Sequence, residues 1–340
     1  MFTQKIIPAT LLSAVLTSAV AAQEGQPAEE GQPAEAQGGT AGAQEEVLVI
    51  EKYIASVKMN SVKTPTPIIN IPQSLTITTQ QEIQQQGMKS IGNIVDYTVG
   101  VNNSQGEGHR DSVVFRGIRS TADFFVDGNR DDVQYYRPLY NVEQVEVLRG
   151  PNALLFGRGG TGGILNRVTK KGVLGENFVD YISSVNTYGE YDGQFDTNYA
   201  LNDRSAFRLN AYYANLDNHR DYYDGDRIGV NPTFRYDFSD DTRVDLSYEY
   251  INHERFIDRG IPTGADGMPV EHFDDIVFGD SEQNQTDLEA HVFRAIFQHS
   301  FTENLKGNFN VFYGDYDKSY QNIYASGYDQ ANTPGLVTVD

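Results

Sequence analysis

The 340-residue sequence contains no cysteine and no tryptophan. The first absence excludes disulfide stapling, thiol catalysis and cysteine-ligated metals. Histidine is scarce: six residues, scattered, with no H-E-x-x-H or comparable pair, so each is expected as a solvated loop or wall residue and not a ligand. Basic charge is short as well. There are 26 Lys and Arg against 47 Asp and Glu, a formal net charge of −21. That argues against a nucleic-acid partner, which requires a basic face. What abounds is Tyr (21) and Phe (18), set among many Asp, Asn and Gly. This mixture is unusual for a soluble α/β enzyme and suits a membrane β-barrel with aromatic belts and polar loops. A mean hydropathy of −0.48 does not oppose that, because a barrel strand alternates and averages low.

The chain opens with Lys5, a mostly apolar stretch from Ile6 to Val20, and small residues Ala19, Ala21 and Ala22. This pattern is a secretory signal peptide over 1–22. The apolar run is short for a bilayer anchor and no positive stop follows it. Residues 23–44 repeat EGQPAE and read as a flexible tether, too short and too polar to fold as a domain of its own. The tether ends in 45–51, where Val47, Leu48, Val49 and Ile50 form a short apolar run between Glu46 and Glu51. Such a run is either an ordinary first strand or a strand offered to a partner by β-augmentation.

Residues 52–172 read as a compact α/β unit. Thr79-Gln80-Gln81-Glu82 is a capping box for a helix that stops at Gly87, and Ser90 caps a second helix with Ile91, Ile94 and Val95 on one face. Strands are expected at 113–118, 123–128 and 145–150. From about 177 the hydrophobic period changes to two. Phe195, Thr197, Tyr199 and Leu201 alternate with polar residues, as do Phe207, Leu209, Ala211 and Tyr213, and Val244, Leu246, Tyr248 and Tyr250. Tight turns at 202–204, 239–241 and 302–304 alternate with longer connections at 218–226 and 256–287. Short turns on one side and long loops on the other are the outer-membrane barrel pattern. About seven strands fit before the sequence ends.

The stretch FGRGGTGG places Gly157, Gly159 and Gly162 at the dinucleotide spacing G-x-G-x-x-G. A dinucleotide loop follows a strand and opens a helix. Here the order is reversed: Pro151 and Asn152–Phe156 suit a short helix before the glycines, and Ile164–Thr169 reads as a strand after them. The glycines are therefore expected to serve close backbone approach.

The order of parts, with IPQSLTITTQQEIQQQG (71–87), FRGIRSTADFFVDGNRDD (115–132) and VEVLRGPNALLFGRGGTGGILNRVTKK (145–171), resembles a TonB-dependent outer-membrane receptor of the ferric-siderophore type. One departure is TVGV at 98–101, where such receptors usually carry TPGV. The resemblance implies an α+β plug domain followed by an antiparallel transmembrane β-barrel, of 22 strands in that family. It implies a TonB box at Glu46–Ile50, a plug at 52–172 and the N-terminal part of the barrel at 173–340. It further implies an outer-membrane transporter and no enzyme, monomeric in lipid, with TonB and a ferric siderophore as partners. Ferric iron is carried only as the siderophore complex and there is no resident cofactor. Three plug segments, 103–111, 119–123 and 130–137, are expected to face ligand. Their candidate contacts are Arg110, Arg119, Arg130, Tyr135, Tyr136 and Arg137, because guanidinium and phenol groups suit an anionic, aromatic chelate. Arg116 and Arg149 resemble the plug arginines that pair with barrel glutamates, and the glutamates would lie beyond residue 340. DFFVDGNRDDVQYYR leans towards receptors of the catecholate type. Receptors for cobalamin, haem or a sugar oligomer, and an exported β-rich adhesion protein, are the competing readings.

Overall fold

The computed structural model describes residues 73–104, 106–131, 133–150, 156, 160, 162–302, 305–329 and 337–339. The expected signal peptide, tether and box lie outside the described residues, as do Gly157, Gly159 and most of the 152–156 helix.

The N-terminal unit begins with β1 (Ser74–Thr79), which runs into α1 (Gln80–Gln85) through the capping box written in the sequence. The Glu82 amide donates to Thr79 Oγ1 at 3.3 Å, and the Thr79 amide donates to Glu82 Oε2 at 2.7 Å. The helix stops where Gly87 takes φ +62°. Ser90 caps α2 (Ile91–Asp96) in the same manner, with Asn93 as its reciprocal partner. Ile91, Ile94 and Val95 are buried with Ile83, Val113, Phe115, Phe124, Val145, Val147 and Leu165 in one core.

Two sheets complete this unit. β2 (Val101–Asn103), β3 (Val113–Phe115) and β4 (Ile118–Ser120) form a small antiparallel sheet. The single strand expected at 113–118 is instead the β3–β4 hairpin. Arg116 at φ +47° and Gly117 at φ +88° make its two-residue turn, a geometry that matches strand twist. β5 (Phe124–Val126), β6 (Asn129–Arg130), β7 (Val142–Arg149) and β8 (Gly163–Thr169) join β1 in the order β1-β7-β8-β5-β6, with β5 and β8 parallel. The strand expected at 123–128 ends at the Asp127-Gly128 turn, where both residues again have positive φ.

The rest is an antiparallel meander of seven strands: β9 (Phe178–Val185), β10 (Tyr191–Asn202), β11 (Ser205–Asp217), β12 (Asp224–Ser239), β13 (Thr242–Phe256), β14 (Gln285–Thr302) and β15 (Leu305–Gln321). β16 (Ala325–Tyr328) pairs separately with β17 (Val337–Val339). Period two sets which face each side chain takes. In β14, Leu288, Ala290, Val292, Arg294 and Ile296 are buried, Leu288 and Ala290 clustering with Tyr135 of the N-terminal unit, while Phe293 and Phe297 stand exposed on the other face. Tyr181, Tyr199, Phe207, Tyr248, Phe309 and Tyr313 share that outer face. The wall is thus apolar outside and largely polar inside, the reverse of a soluble sandwich. β10 to β15 run 12 to 18 residues, more than the ~9–11 that a tilted strand needs to cross a bilayer.

Candidate functional site at the seam between the N-terminal unit and the wall

Asp131 anchors a network of buried charge inside the N-terminal unit. Its Oδ2 accepts from Arg137 Nε at 3.0 Å, Arg167 Nη2 at 2.8 Å and the Tyr135 hydroxyl at 2.9 Å. Arg137 Nη2 also donates to the carbonyls of Asp131 and Val133, each at 2.7 Å, and the Arg137 amide donates to Asp111 Oδ2 at 2.9 Å. The guanidinium stacks 4.0 Å over Phe124 and 4.7 Å over Tyr135. The Arg137 side chain is 0% exposed and Tyr135 is buried. Neither is offered to a ligand, which corrects the sequence expectation for both. A guanidinium this far from water persists only with nearly every donor engaged, and here the acceptors are internal. Burial raises the Tyr135 hydroxyl well above its ordinary pKa, so it stays a neutral donor.

The other candidates divide. Arg130 is partly buried, donating to the Ala122 carbonyl at 2.7 Å and lying 4.9 Å over Phe125, which makes it a brace for the 120–130 turn. Arg119 is exposed on β4. Arg116 is exposed at the hairpin turn, and Arg149 beside it donates to Ser74 Oγ at 3.0 Å and to the Val99 carbonyl at 2.6 Å. Among the described residues neither Arg116 nor Arg149 is within 4 Å of a carboxylate. Burial and the nearby Arg116 charge lower the Arg149 pKa.

Arg110 and Tyr136 reach the long-loop end of the wall. Arg110 pairs with Glu107 at 2.9 Å and donates to the Gln134 side chain. Tyr136 packs on the wall, a contact that the sequence reading did not anticipate: Arg255 lies 4.2 Å over its ring, Arg227 5.8 Å, and His253 meets it edge-on at 6.4 Å. Residues missed from sequence complete the cluster. His109 is buried, not solvated; it stacks on Tyr320 at 4.1 Å and its Nδ1 takes a hydrogen bond from Lys318 at 2.7 Å. The Arg255 guanidinium donates to the Gly108 carbonyl at 2.7 Å, and a Cβ at Gly108 would sit 2.8 Å from Ile257. The tip of the N-terminal unit is therefore seated directly on the wall.

Nearer the short-turn end the seam is ion-paired. Glu249 accepts from Arg294 at 2.8 Å and from Asn141 at 2.9 Å. Lys170 pairs with Asp196 at 2.9 Å, and Arg208 grips the same carboxylate through two donors at 2.8 and 2.7 Å. Tyr140 stacks on Tyr212 and fills the space over Gly229, where a Cβ would come within 2.7 Å of its ring. Glu249→Ala is expected to lower unfolding stability by ~3–5 kcal/mol, because it strands the buried Arg294. It should also let small solutes leak past the seam in a liposome-swelling assay. Wild-type stability and no leak would show that the pair does not seal this contact.

Residues 67–164 match the family model described as the TonB-dependent Receptor Plug Domain. The segment it covers holds α1, α2 and both sheets, up to the start of β8. This chain is the plug and the first barrel strands of a TonB-dependent receptor. It is 31% identical over 240 residues to the "Probable TonB-dependent receptor BfrD" of Bordetella pertussis, a match covering 67% of this chain and 32% of that protein. It is 27% identical over 231 residues to the "Catecholate siderophore receptor Fiu" of Escherichia coli K12, covering 64% and 30%. The chain thus spans about a third of the length of these relatives. Among solved structures, the open form of the E. coli receptor Fiu aligns with TM-score 0.71 at 22% identity over 82% of this chain and 45% of that one. The receptor PiuA of Acinetobacter baumannii aligns with TM-score 0.72 at 22% identity over 79% and 39%. The seven-stranded meander is accordingly barrel wall, and the N-terminal unit is the plug that packs on its inner face.

Of the three motif glycines, Gly162 is the one among the described residues. Gly162 lies against the β3–β4 hairpin: a Cβ there would be 2.8 Å from Phe115 Cβ and 3.1 Å from Ile118 Cβ. The expected close backbone approach is present at this glycine, and its neighbours are the plug's own hairpin. Gly160 donates its amide to Asp123 Oδ1 at 2.8 Å, tying the loop down.

Proposed function

We propose that this chain is the N-terminal part of an outer-membrane active transporter that captures a ferric siderophore and imports it to the periplasm on energy transmitted by TonB. The observation that carries this reading is the tip of the plug. At the long-loop end it gathers Arg110, Tyr136, Arg227, Arg255 and Lys318, with Tyr320 more than half exposed beside them. Cations and aromatic faces in one place suit an anionic chelate with aromatic or carbonyl arms. Below that tip the ion-paired seam bars passive diffusion along this part of the wall, so passage requires a moving plug. The names of relatives support an iron chelate, and a catecholate in particular. A metal-pseudopaline receptor of Pseudomonas aeruginosa, 27% identical over 272 residues, keeps a different metal chelate as the second reading.

Glu46, Val47, Leu48, Val49 and Ile50 are proposed as the strand that pairs with TonB. Arg116 and Arg149 are proposed to meet carboxylates of the remaining wall. Of the six ligand candidates, Arg110 and Tyr136 keep that role, and Arg119 and Arg130 are secondary. The test is iron-limited growth of a deletion strain fed individual siderophores. Val49→Pro, which removes a backbone donor from an added strand, is expected to abolish uptake while leaving cell-surface binding intact. Normal uptake at normal surface level would refute the box assignment. Growth indistinguishable from wild type in the deletion strain on every ferric siderophore would refute the transport assignment.

A further inference from the structure

We infer that Lys318, held in place by His109, is a specificity-determining cation of the capture site and selects chelates of net negative charge over neutral ones. This rests on the capture reading above and adds residues to it.

Lys318 reaches from β15 to the plug tip, where its ammonium donates to His109 Nδ1 at 2.7 Å and to the Gln134 carbonyl. An ammonium has three donors and no acceptor. Among the described residues two are taken by neutral groups and one is left. The same fact fixes the imidazole: Nδ1 must be unprotonated, so His109 is neutral with its proton on Nε2. Four groups face that ring: Lys318 and Tyr320 from the wall, Glu107 and Arg110 from the plug. Burial, then the Lys318 and Arg110 charges, lower the His109 pKa to about 4, so it remains an acceptor at neutral pH.

The neighbouring wall cations share this pattern. Arg255 donates to the Gly108 carbonyl, and Arg227 Nε donates to His253 Nε2 at 3.1 Å. Among the described residues, no carboxylate lies within 4 Å of Lys318, Arg227 or Arg255. In the lower seam Lys170, Arg208 and Arg294 all have acidic partners. The chain has 47 acids for 26 bases, so carboxylates are not in short supply. At the tip Glu107 pairs with Arg110, while Lys318, Arg227 and Arg255 present a field that an incoming anion would satisfy, in a partly buried setting where charge-assisted bonds are strong. Arg255 is buried, whereas Lys318 is partly exposed beside the open face of Tyr320, so Lys318 is the cation a bulky ligand meets.

The experiment measures affinity of the full-length receptor on whole cells for two probes, a triply anionic ferric tricatecholate and a neutral ferric trihydroxamate, with surface receptor quantified in parallel. Lys318→Gln is expected to weaken the anionic probe about tenfold and to leave the neutral probe unchanged. Lys318→Arg should retain most of the preference. His109→Phe, which keeps the stack on Tyr320 but removes the acceptor, should lose part of it. An unchanged ratio of the two affinities in Lys318→Gln, with the wild type binding the anionic probe, overturns this inference alone. A wild-type receptor that binds neither probe overturns the capture reading and this inference with it.

Discussion

Asp131→Ala is expected to destabilise the plug by ~3–5 kcal/mol, the range seen when one partner is removed from a buried ion pair. The reason is that Asp131 serves two guanidiniums and one hydroxyl with a single oxygen. Without it, Arg137 keeps Asp111 and three carbonyl contacts, but Arg167 Nη2 keeps only the Tyr135 hydroxyl. Asp131→Asn preserves an acceptor without the charge and should cost less. The pH dependence has a definite sign. Burial alone would raise the Asp131 carboxyl, but Arg137 and Arg167 outweigh it and hold its pKa below the ordinary carboxylate value. A depressed folded-state pKa contributes stability that is present above the unfolded value, ~3.9, and lost as pH falls through the lower folded value. The difference between wild type and Asp131→Ala should therefore be flat from pH 5 to 8 and narrow only in stronger acid. Denaturant unfolding of the full-length receptor, followed by a probe placed on the plug, measures it. A loss below ~1 kcal/mol, the usual yield of an exposed pair, would mean that water reaches this network.

How far the sequence could reveal this site depends on the range of the interactions. The capping boxes at Thr79 and Ser90 close within three residues, so they are readable and the structure contains both. The wall is readable because alternation repeats along every strand and fixes the outer face. The Arg116-Gly117 turn was hidden inside an apolar run, since arginine carries no signal for positive φ. Tyr135 and Arg137 look like polar loop residues because their burial is decided by Asp131, Asp111 and Phe124, which arrive from separate turns. His109 and Lys318 are 209 residues apart and become a pair only when the wall closes on the plug. Gly229 reads as a weak point in a strand, and its reason is the ring of Tyr140 on a different domain. Local chemistry is legible from sequence; a seam between two domains is not, because neither side encodes it alone.

Gly162→Val is expected to disrupt the plug more severely than any substitution at a glycine needed only for its backbone angle. Gly87 supplies the comparison. It sits at φ +62° with nothing within 4 Å of a built Cβ, so Gly87→Ala should cost about 1 kcal/mol from conformation alone. At Gly162 a Cβ would meet Phe115 Cβ at 2.8 Å, the Phe115 carbonyl at 3.0 Å and Ile118 Cβ at 3.1 Å. Two of these atoms are β-carbons and one belongs to the backbone, so no side-chain rotation relieves the clash. The hairpin cannot simply retreat, because Phe115 is fully buried and the Gly162 carbonyl accepts from the Gly150 amide at 2.8 Å. Overpacking of a dense core typically costs ~1–3 kcal/mol, and a β-branched residue against a fixed carbonyl belongs at or above the top of that range. Phe115→Ala should not rescue it, since alanine keeps both the Cβ and the carbonyl that the introduced valine would strike; the double variant should be less stable than either single one. Plug unfolding of the four proteins, wild type included, decides this. Recovery of stability in the double variant would mean that the aromatic ring, not the backbone approach, is what the glycine accommodates.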